Sequence, residues 1–494
     1  MSLPQARAPP VLEQQHRAPD ERLDIIIIGA GLGGLCAATA LLLSDHKVTI
    51  LESAAALSDV GAGIQCLPNS VRILKALGLE PHLAPHLTTP RCCNMLSWKG
   101  EVLASLPFKP YADRIGGGSE FWDFHRAELH SALVARVLEL GGAVRTGCRV
   151  KDVVCFDGDL GEGGLGPDQS AAEAVLESGG RARADIVVGA DGINSRCREI
   201  MLGRPDPPVL TGDLAYRLLL KTEKMLEDDE LRDLVLDPQV NYWLGPDMHA
   251  VNYILRGGEW FNMVLLVPDD LPPNVSISPG SIPEMQAPFR DWDPRIPKLL
   301  ALCESVHKWR LCIRPTLEPA WSHSSAAFTL LGDAVHATLP YLASGAGMSF
   351  EDACVLGLCL GRLSGGTKSG KARALRVYEA CRKQRTEAVV ARGNKQQYLY
   401  HVHDGPQRDE RDALFRAWNG VEERRARGER VDPAAEGLEQ GSDPFPWRQG
   451  GVGDWLLTYD CWDDVESEWA RDVERERRKV AEMDQEREGD RAKL

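Results

Sequence analysis

Four consecutive isoleucines, Ile25 to Ile28, run straight into Gly29-Ala30-Gly31-Leu32-Gly33-Gly34 and then into an Ala- and Leu-rich stretch that ends at Leu43. A continuous β-branched run bounded by glycine marks a parallel strand buried on both faces, and the apolar stretch after it marks a buried helix. Val48 to Leu51 returns as a second strand and completes a βαβ unit. At the strand-to-helix junction the glycines fit G-x-G-x-x-G. Gly29 permits the tight turn, Gly31 lets backbone N–H groups approach a pyrophosphate, and Gly34 lets helix and strand pack closely. The helix N-terminus adds about half a positive charge. Glu52 closes the second strand at the ~20-residue offset where an acid accepts from ribose hydroxyls. A glycine-rich structural turn of another α/β fold is the competing reading. Strand, loop, helix, strand and acid in this order select dinucleotide binding, without distinguishing FAD from NAD.

With 494 residues the chain has room for two or three domains or one elaborated α/β unit. Its 43% hydrophobic and 26% charged residues supply a real core and exclude disorder throughout. Lys and Arg number 57 against 72 Asp and Glu, and the net charge of -15 repels phosphate backbones, so nucleic acid is not an expected partner. No window approaches the ~18 consecutive apolar residues of a membrane span, and the opening residues lack the apolar core of a secretory signal. The expectation is a cytoplasmic protein without a membrane span. The 13 cysteines include no C-x-x-C pair, so neither a zinc site nor any other metal site is expected. Cys36, Cys354 and Cys359 read as reduced core residues, and the adjacent Cys92 and Cys93 as filler.

Residues 1–22 are Pro- and Gln-rich and read as a flexible arm. The polar stretch from Gly158 to Gly180 reads as a surface insertion in a β-meander. From Val240 the pattern turns to hairpins, VNYWL, HAVNYIL and WFNMVLLV separated by turns, which predicts an antiparallel sheet. A long Pro-rich loop from Pro268 to Pro294 and an amphipathic helix from Arg295 to Trp309 follow. Phe328 to Leu331 returns to parallel-strand character, and helices are expected over about 346–363 and 372–397. The remainder, 401–494, reads as a charged, peripheral helical tail. Trp455, Trp462 and Trp469 recur every seven residues there, as on one docked helix face.

Two more segments add chemistry. DIVVGADGINSR is a buried strand that delivers Asp191 and Gly192 to its C-terminal end, where open α/β sheets bind ligands. LLGDAVHATLPYLASGAGMSFEDA is a second such strand, ending at Asp333 and leading to a small-residue loop that opens a helix. Asp333 can accept from a polyol hydroxyl, and N–H groups at Gly345, Ala346 and Gly347 can face a ring carbonyl.

With these three motifs in this order, residues 24 to about 400 resemble the class A flavoprotein monooxygenases, and within them the salicylate-hydroxylase-like enzymes and fungal phenol-tailoring hydroxylases. The resemblance implies a p-hydroxybenzoate hydroxylase-like α/β fold: a Rossmann-type FAD domain over 23–205 and 325–400, and an antiparallel-sheet substrate domain over 206–324. It implies FAD as cofactor, with NADH or NADPH as a transient reductant, since no second G-x-G-x-x-G stands between a predicted strand and a predicted helix. By the same resemblance Glu52 holds the adenosine ribose, Arg126 contacts the FAD, Asp191 lies near the pyrophosphate and Asp333 binds the ribityl chain. The loop to Gly347 covers the isoalloxazine, and Gly63 and Gln65 belong to a second flavin-side loop.

Such chemistry uses O2 and a flavin C4a-hydroperoxide, so the protein must exclude water, position an electron-rich ring and remove a phenolic proton. His249 and Tyr253 stand at i and i+4 on a strand and project from one face. They read as half-exposed sheet residues on spacing alone. The resemblance assigns them to the substrate, because relatives carry an H-x-x-x-Y pair on this hairpin. Arg217 interrupts an apolar strand; its guanidinium either pairs with a sheet-edge acid or holds a substrate anion, and the resemblance favours the second. Tyr341 is either a substrate-side or a packing residue, and His336 is structural. The expected enzyme hydroxylates a phenolic or aromatic carboxylate substrate, as a monomer or homodimer, with oxidative decarboxylation and dearomatisation both open. Epoxidation on the same fold and a flavin-free carrier resembling the GDP-dissociation inhibitors are the alternatives; halogenation lacks its W-x-W-x-I-P stretch.

Overall fold

In the computed structural model, which describes residues 6–57 and 61–491, the isoleucine run is the centre of a five-stranded parallel sheet. The spatial order is Phe328–Leu330, Ile186–Gly189, Asp24–Ile28, Lys47–Leu51, Ala143–Arg145. Ile28 lies level with Gly189 on one side and Leu51 on the other. Helix Leu32–Leu43 is buried almost all round, which its run of Ala and Leu allows. Against it packs helix Gly345–Leu360, so closely that a Cβ on Gly357 would stand 2.7 Å from the Cβ of Ala40. Gly29, Glu52, Ala190 and Leu331 follow the last residues of four adjacent strands, and this sheet edge carries the ligand-binding loops.

A second sheet has eight strands, in the order Ile277–Pro279, His307–Ile313, Val209–Lys221, Trp260–Pro268, Met248–Leu255, Val240–Gly245, Cys92–Ser97, Val102–Pro107. Every pairing is antiparallel except Val240–Gly245 with Cys92–Ser97. The hairpins expected from Val240 are present, with Leu244 opposite His249 and Tyr253 opposite Asn262. Two strands of this sheet come from within 23–205, the stretch assigned to the nucleotide unit, so the two units interleave along the chain.

Several expectations need correction. The first five residues of the arm lie outside the described residues. Residues 6–22 run along the body: Ala6 N–H donates to Ile115, Leu12 N–H to Ala76 and Gln15 N–H to Leu43, while the Arg17 guanidinium donates to the Ser44 carbonyl. Backbone pairing, which composition does not encode, overrides the flexible look of the segment. The supposed insertion Gly158 to Gly180 holds strand Ser170–Leu176, whose alanines are buried between Val150–Asp157 and Arg181–Ala184. The helix expected over Arg295 to Trp309 stops at Ala301, and Trp309 sits in strand His307–Ile313, opposite Ala215. The preceding Pro-rich loop contains a short strand and the helical turn Ile282–Gln286.

The tail, apart from 492–494, which lie outside the described residues, is not peripheral. Trp455 is in the short helix Gly453–Leu457 and is 43% exposed, whereas Trp462 and Trp469 lie on helix Cys461–Arg491 and pack against the core. Trp447 is buried, its indole N–H donates to the Leu342 carbonyl at 3.2 Å, and its ring centroid lies 6.2 Å from that of Tyr242. Beside it the Arg448 guanidinium grips Asp443 in a fully buried pair at 2.7 Å. Trp447→Ala should therefore cost about 3–5 kcal/mol of stability, measured by urea unfolding, because a large buried ring is deleted. An unchanged midpoint would show that the tail is not part of the core.

Candidate active site

The loops at the sheet edge and one face of the second sheet enclose a cavity of about 340 Å³. Its floor follows strand periodicity: Ala215 and Arg217, Val264 and Leu266, and His249, Val251 and Tyr253 are alternate residues on three adjacent strands, so all point one way. Its upper wall is backbone. Gly31 to Gly34 open helix Leu32–Leu43, and Gly345 and Ala346 open helix Gly345–Leu360; neither helix has a side-chain cap, so their first N–H groups are available to a ligand. A Cβ at Gly31 would meet nothing within 4 Å, whereas one at Gly34 would stand 2.2 Å from the Gly29 carbonyl oxygen. Gly31 therefore borders open space, and Gly34 is required by helix–strand contact.

Most residues singled out in the sequence meet here. Gly31, Gly34, Gly63, Gln65, Arg126, Arg217, His249, Tyr253, Asp333, Tyr341, Gly345 and Ala346 all line the cavity. Four do not. Gly29, at φ +106°, packs on the Ala190 carbonyl, and Gly347 packs on Ser70. The Asp191 carboxylate accepts from Ser195 Oγ at 2.5 Å and Cys197 N–H at 2.9 Å at the start of helix Arg196–Leu202, whose cap is Ser195, while its neighbours Ala190 and Gly192 form the wall. Glu52 stands beside the glycine loop, its carboxylate accepting from the N–H groups of Ala30 and Ala54, each at 2.8 Å. Burial would raise its carboxyl, but those bonds hold it below the ordinary range.

Arg217 makes no ion pair among the described residues. Its guanidinium stacks 4.9 Å from the Trp309 ring centroid, and burial, with Arg126 nearby, lowers its pKa. The alternative of a sheet-edge salt bridge is thereby set aside. Tyr253 packs its ring where a Cβ on Gly63 would stand, 2.4 Å from Cε2, which explains a glycine at that position. The His249 ring is wedged between Tyr341 and Tyr400, at centroid distances of 4.8 and 5.1 Å. Burial, then His401, keeps it well below the usual imidazole range and so neutral. Tyr341 donates its hydroxyl to Asp213. Burial raises the Asp333 carboxyl, with His336 and Arg126 pulling the other way.

The family comparisons agree with this geometry. A family model described as an FAD binding domain matches residues 22–204. FAD-dependent monooxygenase OpS4 of Beauveria bassiana is 39% identical, over 79% of this chain and 88% of its own. 3-Amino-4-hydroxybenzoate 2-monooxygenase of Streptomyces cremeus is 33% identical, over 81% and 93%. The chain belongs to the FAD-dependent aromatic monooxygenases. A salicylate hydroxylase solved with its substrate superposes with a TM-score of 0.69 at 22% identity, covering 91% of this chain and 98% of that one, which confirms the p-hydroxybenzoate hydroxylase-like fold. The cofactor of the monooxygenase is FAD. The uncapped helix starts, the open space at Gly31 and the Asp333 carboxylate at the cavity wall fit a dinucleotide carrying a polyol chain.

Beneath the cavity lies a charge network that the sequence reading missed. Glu351 accepts from Arg382 and Arg385 at 2.7 Å and from Asn69 Nδ2 at 2.7 Å. Asp352 accepts from Arg382 Nε at 2.7 Å, pairs with His336 at 2.6 Å and receives the Gly332 N–H at 3.0 Å, in keeping with a structural His336. Burial would raise both carboxyls, but Arg385 and Arg382 beside Glu351, and His336 and Arg382 beside Asp352, hold them below the ordinary range. Their one sequence signal is an acidic dipeptide in an otherwise apolar helix. In the wild type their stabilisation is present above the unfolded carboxyl pKa of about 4 and is lost on acidification. Arg382→Met leaves buried carboxylate uncompensated and should cost about 3–5 kcal/mol at pH 7. There the carboxyls rise above their unfolded values, so the deficit should shrink as pH falls. A deficit in urea unfolding that is equal at pH 7 and pH 5 would contradict the pairing.

Proposed function

We propose that the enzyme hydroxylates a phenolic ring bearing a carboxylate, consuming O2 and NADH or NADPH. The single observation that carries this is Arg217, a half-buried cation without an ion-pair partner among the described residues, on the same cavity face as His249 and Tyr253. A guanidinium enclosed by protein is costly unless an anion meets it, and a carboxylate does so with two parallel bonds. The Streptomyces cremeus relative is named for an amino-hydroxybenzoate, a substrate of this class.

FAD, once reduced, supplies the activated oxygen atom; one atom enters the ring and the other leaves as water. Glu52 would accept from the adenosine ribose, the N–H groups from Gly31 onward would face the pyrophosphate, and Asp333 and Arg126 would hold the flavin side. On the substrate side, Arg217 binds the carboxylate. The apolar floor of Ala215, Val251, Val264 and Leu266 keeps water from the ring. Arg217 is level with Val251 two strands away and His249 lies two residues further along, a backbone separation of about 12 Å. That spacing suits one ring with a carboxylate at one end and a hydroxyl at the other. His249, neutral and within the cavity, takes the phenolic proton, and Tyr253 orients the resulting oxygen.

Substituted hydroxybenzoates should stimulate NAD(P)H oxidation and yield hydroxylated product, whereas neutral phenols of the same pattern should be poor substrates. Arg217→Ala should lower kcat/KM for the hydroxybenzoate roughly 10- to 100-fold and leave that for the neutral phenol unchanged; equal losses for both would remove the carboxylate from the reading. Tyr253→Phe should slow hydroxylation more than flavin reduction in stopped-flow traces. Unchanged turnover and coupling in that variant would take Tyr253 out of the mechanism.

A further inference from the structure

His249 does not end at the cavity wall. Its Nδ1 lies 2.7 Å from Nε2 of His401, the residue just past helix Lys368–Tyr400. On the far side of that second ring, His401 Nδ1 lies 3.6 Å from Asp213 Oδ2. Asp213 also accepts from the Tyr341 hydroxyl and, at 2.8 Å, from Gln397 Nε2. We propose that Asp213 and His401 are positioning residues that lock His249 in the tautomer whose Nε2 lone pair faces the substrate. The inference deepens the reading of His249 as the base and rests on it.

A neutral imidazole carries one N–H and one lone pair. The Asp213 oxygen that faces His401, Oδ2, already accepts from Tyr341 and Gln397, so a lone pair on His401 Nδ1 would face an acceptor; His401 therefore carries its proton on Nδ1. Its Nε2 is then an acceptor, and the 2.7 Å bond requires His249 to donate from Nδ1. His249 Nε2, the nitrogen on the cavity side, is left bare.

Both rings are neutral near pH 7, since burial holds His401 at about 4 and His249 well below its ordinary value. The other titratable groups around the pair are Tyr242, Tyr341 and Tyr400, all pushed up by burial and so uncharged, and Asp247, whose N–H donates to the His401 carbonyl. The proton step balances. The phenol O–H breaks and its proton joins His249 Nε2, the Nδ1 proton of His249 crosses to His401 Nε2, and the positive charge comes to rest beside Asp213. His401 is partly exposed, so the proton reaches water there without opening the cavity.

The test uses the FAD-loaded enzyme and 2,4-dihydroxybenzoate, whose phenolate absorbs at longer wavelength than its phenol. Difference spectra over pH report where the bound probe ionises. Asp213→Asn keeps an acceptor oxygen in the Oδ2 place for Tyr341 and Gln397 but removes the negative charge beside His401, so a protonated His401 is no longer stabilised there. In that variant, and in His401→Phe, the bound probe should ionise only at higher pH, near its value in free solution. Hydroxylation at pH 7 should fall by roughly 10²-fold and recover as pH rises, with FAD binding unchanged. If both variants ionise the probe at the same pH as the wild type while His249→Gln does not, the positioning role is overturned and the base stands. If His249→Gln also ionises it unchanged, the base reading itself falls, and the inference with it.

Discussion

Two adjacent carboxylates stripped of all water hold the catalytic half of this molecule together. Glu351 and Asp352 are completely buried, and such charges are tolerated only with every partner in place. Their partners come from separate parts of the chain: Asn69, the Gly332 N–H, His336, and Arg382 and Arg385 of the long helix. Because both acids sit in the second turn of helix Gly345–Leu360, the network fixes the start of that helix relative to the end of strand Phe328–Leu330. Those two points are the upper wall of the cavity.

The long helix transmits this constraint further. From Arg382 to Gln397 it spans about 22 Å, and its far end delivers Gln397, Tyr400 and His401 to the surroundings of His249 and Tyr341. One rigid rod thus carries the ion network at its middle and the partner of His249 at its end. The electrostatics of the two regions differ. The network joins both carboxylates to arginines of the long helix, whereas Arg217, stacked on Trp309, has no anionic partner among the described residues. On the proposed reading, that guanidinium is where the carboxylate of the substrate binds.

The nucleotide half of this plan was legible in the sequence, because its devices are local. A tight turn, a helix start and a strand-end acid each show within a few residues, so Gly31, Gly34, Glu52 and Asp333 could be named from spacing. The i, i+4 relation of His249 and Tyr253 was likewise visible and survives in the cavity floor. What escaped were pairings between residues distant in the chain. Asp213 and His401 are 188 positions apart by number and carry no local signature. The anchoring of residues 6–22 by backbone bonds to remote elements is invisible for the same reason. The bonds that Ser195 and Cys197 donate to Asp191 likewise carry no signature in a strand-end acid alone. Trp309 misled because the pairing that sets it opposite Ala215 joins residues distant in the chain.

The central claim is that one cavity holds both the flavin and an aromatic carboxylate, with Arg217 opposite the anion. The most direct measurement is a titration of the FAD-loaded protein with benzoate and, separately, with benzamide, following the visible flavin band. The account predicts a saturable spectral change with benzoate and a far weaker response to its neutral counterpart. No response to benzoate, or equal responses to the two, would contradict it.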